Sequence, residues 1–283
     1  MRPGPSDRIA VLGLGIIGSR ARSRLAGAGW SVACWNRTPQ GLDGETATPE
    51  QAVEGAAVIS IYLKDAPALR AVMTRLEAFL QPGQIVLNHA TVDLASTQWL
   101  EQLCRSRGCM LLDAPFTGSK LAADQGQLVY YIGGDPALAD ALEPLLAVTS
   151  KSRRHCGPIG AATVVKLTTN LISACTVQAM AEALAIATRH GVTAQCLIEA
   201  VADNVSASPL AAMKFPTMIA RNFETHFSLS NMGKDSRYML ALAEGAGVDT
   251  PAIRAVSGRL AALCEAGLGE LDYSALAKPY LDA

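Results

Sequence analysis

Aromatic residues are scarce in this chain, making up 5% of its 283 positions. The core must therefore come from aliphatic side chains, and the supply is ample because half of all residues are hydrophobic. A surplus of either charge is also missing. The formal net charge of -1 gives no support for nucleic-acid binding, since neutralising phosphates needs a basic excess. Seven cysteines (Cys34, Cys104, Cys109, Cys156, Cys175, Cys196, Cys264) are scattered, and no two form a CxxC pair. The four histidines are equally dispersed, so no metal site is expected. The cysteines are expected to serve as small core hydrophobes in a reducing compartment. The opening MRPGPSDR has no apolar run of the signal-peptide kind. The apolar stretch from Val164 to Ala187 contains Lys166, Asn170, Gln178 and Glu182, which suits a buried helix and not a membrane span. Repeats and low-complexity linkers are absent too. The expectation is a compact cytoplasmic protein, long enough for two domains.

What is present falls into two halves of different pattern. Short apolar runs at Ile9–Leu12, Ser31–Trp35, Val58–Tyr62, Ile85–Asn88, Cys109–Asp113 and Leu128–Ile132 read as strands. Helical patterns separate them, clearest at Ala66–Leu80, Asp93–Ser106 and Pro136–Leu146. Such alternation predicts βαβ units and a Rossmann-type parallel sheet. One crossover is short: the stretch from Arg37 to Pro49 is rich in turn residues, and a helix start is placed at TPEQAVEGA with Thr48 as its cap. From about Gly160 the strand signal ends. An alanine-rich helical pattern runs to Arg189, followed by Ala194–Ala202, Leu210–Arg221, Leu229–Ala246 and Ala252–Ala266. The division expected is residues 1–159 as an α/β nucleotide-binding domain and 160–283 as an all-helical domain that completes the site.

Gly13-Leu14-Gly15-Ile16-Ile17-Gly18 directly follows the first strand and opens a helix. In that place the three glycines serve a tight turn, close approach of a pyrophosphate and helix–strand packing, and the helix start supplies free N–H groups. Leu63, after the third strand, is assigned to the same cofactor. The end of the second strand selects which dinucleotide binds. NAD enzymes place an acid there for the ribose hydroxyls, whereas this chain has Asn36-Arg37-Thr38. Asn36 avoids repelling a 2′-phosphate, Arg37 pairs with it and Thr38 donates to it. The expected cofactor is NADP(H).

Candidates for chemistry lie at the carboxyl ends of later strands. Thr91 follows the fourth strand, and Thr117-Gly118-Ser119 follow the fifth, where open α/β sheets bind ligands. The hydroxyls and N–H groups of the latter suit a carboxylate, although an ordinary turn would look the same. Lys166 and Asn170 share one face of the long helix. A lysine in so apolar a helix either snorkels or has a partner. Phe227, Lys234 and Asp235 flank another helix start, with a solvated charge pair as the plain alternative.

Together, GLGIIG, NHATVD, DAPFTGSK, GAATVVKLTTN and MGKDSRYML resemble the β-hydroxyacid dehydrogenase family, closest to its glyoxylate/succinic semialdehyde reductases. The resemblance implies that Lys166 is catalytic with Asn170 beside it, and that Thr117 and Gly118 anchor a substrate carboxylate. It further implies that Thr91 contacts nicotinamide or substrate, Phe227 and Asp235 shape the substrate side, and Lys234 reaches the cofactor. A small carboxylate substrate and a homodimer or tetramer are also implied. In reduction, hydride would pass to the aldehyde carbon while Lys166 supplies the proton. The chain departs from the family pattern at Asn88-His89-Ala90, which lacks a serine hydroxyl, and at Phe116 and Thr117, both bulkier than usual. The alternatives are an imine reductase, a class that usually replaces the lysine, and a silent NADPH-binding module.

Overall fold

The apolar runs of the first half do become strands, and their order builds a single layered sheet. The computed structural model describes residues 3–282 and separates into two compact units between Lys166 and Leu167. The first unit begins with β1 (Arg8–Leu12), α1 (Gly18–Gly27), β2 (Ser31–Trp35), α2 (Pro49–Val53) and β3 (Ala56–Ile61). It continues with α3 (Ala66–Leu76), β4 (Ile85–Asn88), α4 (Leu94–Ser106) and β5 (Met110–Asp113). β6 (Phe116–Thr117), α5 (Lys120–Asp124), β7 (Leu128–Gly133), α6 (Pro136–Ala141), α7 (Glu143–Thr149) and β8 (Ser150–Gly157) follow.

The strand order is β2-β1-β3-β4-β5-β7-β6, with β8 paired to β7. From β2 to β5 all pairings are parallel. These strands are covered on both faces, which is why their sequences are unbroken apolar runs: Ile9, Ala10, Val11 and Leu12 are all fully buried. The expected continuation of the parallel pattern stops there. β7 runs antiparallel to both β5 and β6. The link from β5 carries only the two-residue β6 and the short α5, and an antiparallel return needs no full crossover helix.

β8, which lies outside the strand candidates read from the sequence, is the other departure. Its SKSRRHCG sequence pairs only with β7, and an edge strand tolerates charges that a central one would not. The short crossover holds as read: Thr48 accepts from the Gln51 N–H, Gln51 answers to the Thr48 N–H, and Pro49 opens the helix. Of the cysteines, Cys34, Cys104 and Cys109 are buried, but Cys196 is exposed and the rest are half-buried.

α8 (Ala161–Arg189) passes through the division, and its 29 residues span roughly 43 Å at about 1.5 Å per residue. α9 (Ala194–Ala202), α10 (Pro209–Ile219), α11 (Leu229–Gly245), α12 (Pro251–Leu263) and α13 (Lys278–Leu281) complete the second unit. Its core gathers Leu167, Val177, Leu184, Phe215, Met218, Leu229, Met232, Leu260 and Leu276. A buried ion pair sits in this unit, with Lys214 Nζ 2.6 Å from Asp272 Oδ1. Asp272 also accepts from the Ser274 N–H and hydroxyl and from the N–H groups of His226 and Phe227. Burial raises that carboxyl, but the Lys214 charge and these donors outweigh it and hold it below its ordinary value.

Candidate active site

The glycine loop between β1 and α1 is shaped by contacts that exclude side chains. Gly13 has φ +97°, and a Cβ there would lie 2.6 Å from the Tyr62 carbonyl oxygen. A Cβ on Gly18 would lie 2.0 Å from the Gly13 carbonyl oxygen. Gly15, in contrast, is exposed with open space around it. Two glycines thus fold the loop and the middle one keeps its outer surface bare. α1 has no acid in its first turn and no side-chain cap at Ile17, so no carboxylate of its own competes for the N–H groups at its start. A pyrophosphate fits this chemistry. Leu14 is buried below the loop, Ile16 is exposed and Ile17 half-buried.

Asn36 joins this loop to the end of β2. Its Oδ1 accepts from the Leu14 N–H at 3.0 Å, and its Nδ2 donates to the Thr38 carbonyl at 2.8 Å. The side chain is a brace between the glycine loop and the turn after β2, a role that required the fold to be seen. Arg37 and Thr38 are exposed beyond it. Leu63 is half-buried just past β3.

Just past the carboxyl ends of β3 and β4, against β6 and the middle of β7, lies an aromatic cluster that sequence reading missed. The His89 ring stacks on Tyr62 with centroids 4.5 Å apart and meets Tyr130 at 4.8 Å. Phe116 packs edge-on to Tyr130. The Tyr62 and Tyr130 hydroxyls are 2.9 Å apart, and Tyr130 continues to Thr149. His89 Nδ1 lies 2.8 Å from the Ala114 carbonyl, so that nitrogen carries the proton in the neutral ring. Burial pulls this imidazole down to about 4, against the pull of the Ala114 carbonyl. No local sequence signal marks the cluster, because its members come from four separate strands or strand ends.

Thr91 is half-buried after β4, and Thr117 and Gly118 are exposed at the end of β6. Gly118 has φ +138°, and a Cβ there would come within 2.8 Å of Leu128 Cδ2. Ser119 is engaged as the cap of α5, accepting from the Ala122 N–H at 3.3 Å. Its serine-before-helix pattern was the signal for that role, and the hydroxyl keeps its own proton for donation.

α8 starts at the carboxyl end of β5. Asp113 Oδ2 accepts from the Thr163 N–H and hydroxyl, each at 2.8 Å. Burial pushes the Asp113 carboxyl up to about 6, against the Thr163 donors and the Gly160 backbone. Lys166, one turn further along, is 8% exposed. Asn170 follows one more turn on, so the two share a face of the helix. In the second unit, Asn170 Nδ2 donates to Asp235 Oδ2 at 2.8 Å, and Lys234 Nζ lies 3.0 Å from Asp235 Oδ1. Those three expected residues are therefore one cluster around a fully buried carboxylate. Phe227 donates its N–H to Asp272 and packs edge-on against Tyr273. Among the described residues, no group of three His, Cys, Asp or Glu side chains comes together as a metal site.

A glycine-loop sheet unit with a buried lysine, Lys166, on the long helix at its end, followed by a helical unit, defines a nicotinamide-dependent oxidoreductase. The model for the NAD binding domain of 6-phosphogluconate dehydrogenase matches residues 8–160. A second, described as NAD-binding of NADP-dependent 3-hydroxyisobutyrate dehydrogenase, matches residues 160–280. Glyoxylate/succinic semialdehyde reductase 2, chloroplastic, of Arabidopsis thaliana is 29% identical, over 95% of this chain and 78% of its own. Reductase 1 of the same plant is 27% identical over 95% and 96%. The solved structure of Mycobacterium tuberculosis 3-hydroxyisobutyrate dehydrogenase with L-serine superposes with a TM-score of 0.91 at 25% identity, covering 98% of this chain and all of the other. The chain belongs to the β-hydroxyacid dehydrogenase family, and is an NAD(P)-dependent enzyme of that kind. Among the described residues α8 is long and apolar enough to cross a membrane by length and composition, a test that the core helix of a folded domain also passes.

Proposed function

We propose that the chain is an NADPH-dependent reductase that converts a short aldehyde or oxo acid, of the glyoxylate or succinic semialdehyde type, to the hydroxy acid. The observation that carries this reading is Lys166, a buried lysine on a helix whose first turn is anchored at the carboxyl end of β5. When bound, the nicotinamide supplies the hydride. Lys166 supplies the proton to the developing alkoxide, acting as general acid and as a positive charge in a water-poor site. Asn170 is its partner, and Thr91 contacts nicotinamide or substrate. Thr117, Gly118 and Ser119 hold the substrate carboxylate, with Phe227 and Asp235 on the substrate side and Lys234 toward the cofactor.

For the cofactor, Gly13–Gly18 and Leu63 hold the dinucleotide, and Asn36, Arg37 and Thr38 favour NADPH. The Asn36 carbonyl is occupied by the Leu14 N–H, and the turn offers an exposed guanidinium where NAD enzymes offer an acid. The functional division is residues 1–159 for the cofactor and 160–283 for substrate and self-association. Exposed Ile172, Ile186, Met213 and Ile219 on the helical unit favour a homodimer or tetramer. The working compartment is the cytoplasm.

The test is a set of initial rates with NADPH and NADH against glyoxylate, succinic semialdehyde, other oxo acids and cyclic imines. NADPH preference with a short oxo acid supports the reading. Activity confined to imines replaces it with the imine-reductase alternative, and binding without turnover leaves a silent module. Lys166→Met is expected to lower turnover by at least about a hundredfold while NADPH binding persists. A variant that keeps more than about a tenth of the rate would remove the lysine from its role.

A further inference from the structure

The carboxylate at the start of α8 does more than fill a gap. Asp113 ends β5 with none of its surface exposed. Both of its bonds at Oδ2 go to one residue, Thr163, through backbone and hydroxyl. Thr163 lies in the first turn of α8, where N–H groups have no acceptor within the helix and the dipole is positive. The network continues outward. Thr163 Oγ1 is 2.9 Å from Thr97 Oγ1 on α4. An ionised carboxylate only accepts, so Thr163 donates to Asp113 and Thr97 donates to Thr163. Both threonines are buried, and α4, β5 and α8 are thereby pinned at one point.

That start is closely packed. A Cβ on Gly160, which has φ +91°, would come within 2.7 Å of Leu94 Cδ1. One on Gly133 would meet the Pro158 carbonyl at 2.8 Å and the Ala162 nitrogen at 3.2 Å. Lys166 stands three residues after Thr163, so the two are neighbours on one helical face. A helix passes on any shift or rotation of its first turn as a rigid rod.

We propose that Asp113 is a positioning residue for Lys166: its carboxylate fixes the first turn of α8, and with it the height and rotation at which the lysine is carried. The proposal rests on the reading of Lys166 as proton donor. The network acts on the reaction through α8, which carries Lys166 and, one turn on, Asn170.

The experiment compares Asp113→Ala, Asp113→Asn and Thr163→Val in the full chain, with Lys166→Met alongside. Asp113→Ala is expected to lower kcat by about a hundredfold, the loss a displacement of about 1 Å in a reacting group produces. The KM for the oxo acid and the Kd for NADPH should each move by less than about threefold. The solvent deuterium isotope effect on kcat should rise, because proton delivery becomes limiting. Asp113→Asn, whose amide oxygen still accepts from Thr163, should return to within about fivefold of the parent. Thr163→Val keeps the N–H bond, loses the hydroxyl and should fall in between, which preserves the test if the alanine variant does not fold. A near-normal kcat in both Asp113→Ala and Thr163→Val overturns the proposal. So does a loss that tracks NADPH binding at constant isotope effect, or a loss in Asp113→Asn as deep as in Asp113→Ala. An active Lys166→Met removes the parent reading and this one with it, whereas a dead Lys166→Met beside an active Asp113→Ala removes this one alone.

Discussion

Asn36 shows how one side chain ties two turns together. Its amide spans the glycine loop and the turn carrying Arg37, so a substitution must keep an acceptor at Oδ1 to keep the loop. Aspartate does so, gives up the donor to the Thr38 carbonyl, and adds a negative charge on the side proposed for a 2′-phosphate. Asn36→Asp is therefore expected to leave the fold intact and raise the KM for NADPH, with the NADPH/NADH ratio of kcat/KM falling by roughly tenfold to a hundredfold. Arg37→Ala should move that ratio in the same direction by loss of attraction alone. Steady-state rates with both cofactors decide it, and an unchanged ratio in both variants would separate this turn from cofactor choice. The identities of Asn36 and Arg37 were legible because the glycine motif locates the end of β2. The bracing bond was not, since it closes only when the loop is folded against the strand.

Among the elements, the α10 helix and the turn at Tyr273–Ala277 are joined by the Lys214–Asp272 pair, with Lys214 Nζ also 4.5 Å from the Tyr273 ring centroid. The partners are unequal. Removing the lysine leaves a carboxylate that still accepts from Ser274, His226 and Phe227, while removing the acid leaves a buried ammonium group without its counter-charge. Asp272→Asn is expected to lower unfolding free energy by about 3–5 kcal/mol, and Lys214→Met by distinctly less. Urea denaturation of the two variants checks this, and equal losses would contradict the asymmetry. Nothing in the sequence announced the pair, whose members lie in separate helical stretches. The elements themselves were better marked. Parallel strands buried on both faces betray themselves as apolar runs, and Thr48-Pro49 announces α2. β8 escaped because an edge strand carries the charges that usually signal a loop, and the reversal of β7 escaped because periodicity has no direction.

For the molecule as a whole, two buried groups give opposite responses to acid. His89 has a folded value of about 4 against 6.5 when free. Between those values the unfolded chain takes up a proton that the folded chain refuses, so the stability present above pH 6.5 is lost as pH falls toward 4. Asp113 has a folded value of about 6 against 3.8 when free. Here the folded chain holds the proton, so stability present below 3.8 is lost as pH rises through 6. Each effect is at most about 3 kcal/mol and they oppose each other over one interval. Relative to the parent, His89→Phe is expected to gain at least about 1 kcal/mol on going from pH 7 to 5, and Asp113→Asn to lose a similar amount. Thermal or urea unfolding at the two pH values reads both, and parallel profiles for all three proteins would refute the opposition. Neither group was singled out from sequence, because burial by distant strands, and not residue type, sets both values.

The seam between the compact units falls inside α8, between Lys166 and Leu167, while the two family models meet at residue 160, just ahead of the helix. That offset bears on how such chains can be recombined. A chimaera joined at Gly160 inherits α8 whole, with Lys166 and Asn170 from the same parent. One joined at the seam of compactness takes its lysine from one lineage and its amide from another, and splices them within a single helical turn. Ancestry by exchange should therefore have left its breakpoints before the helix, at the end of β8, and not where the contacts thin out.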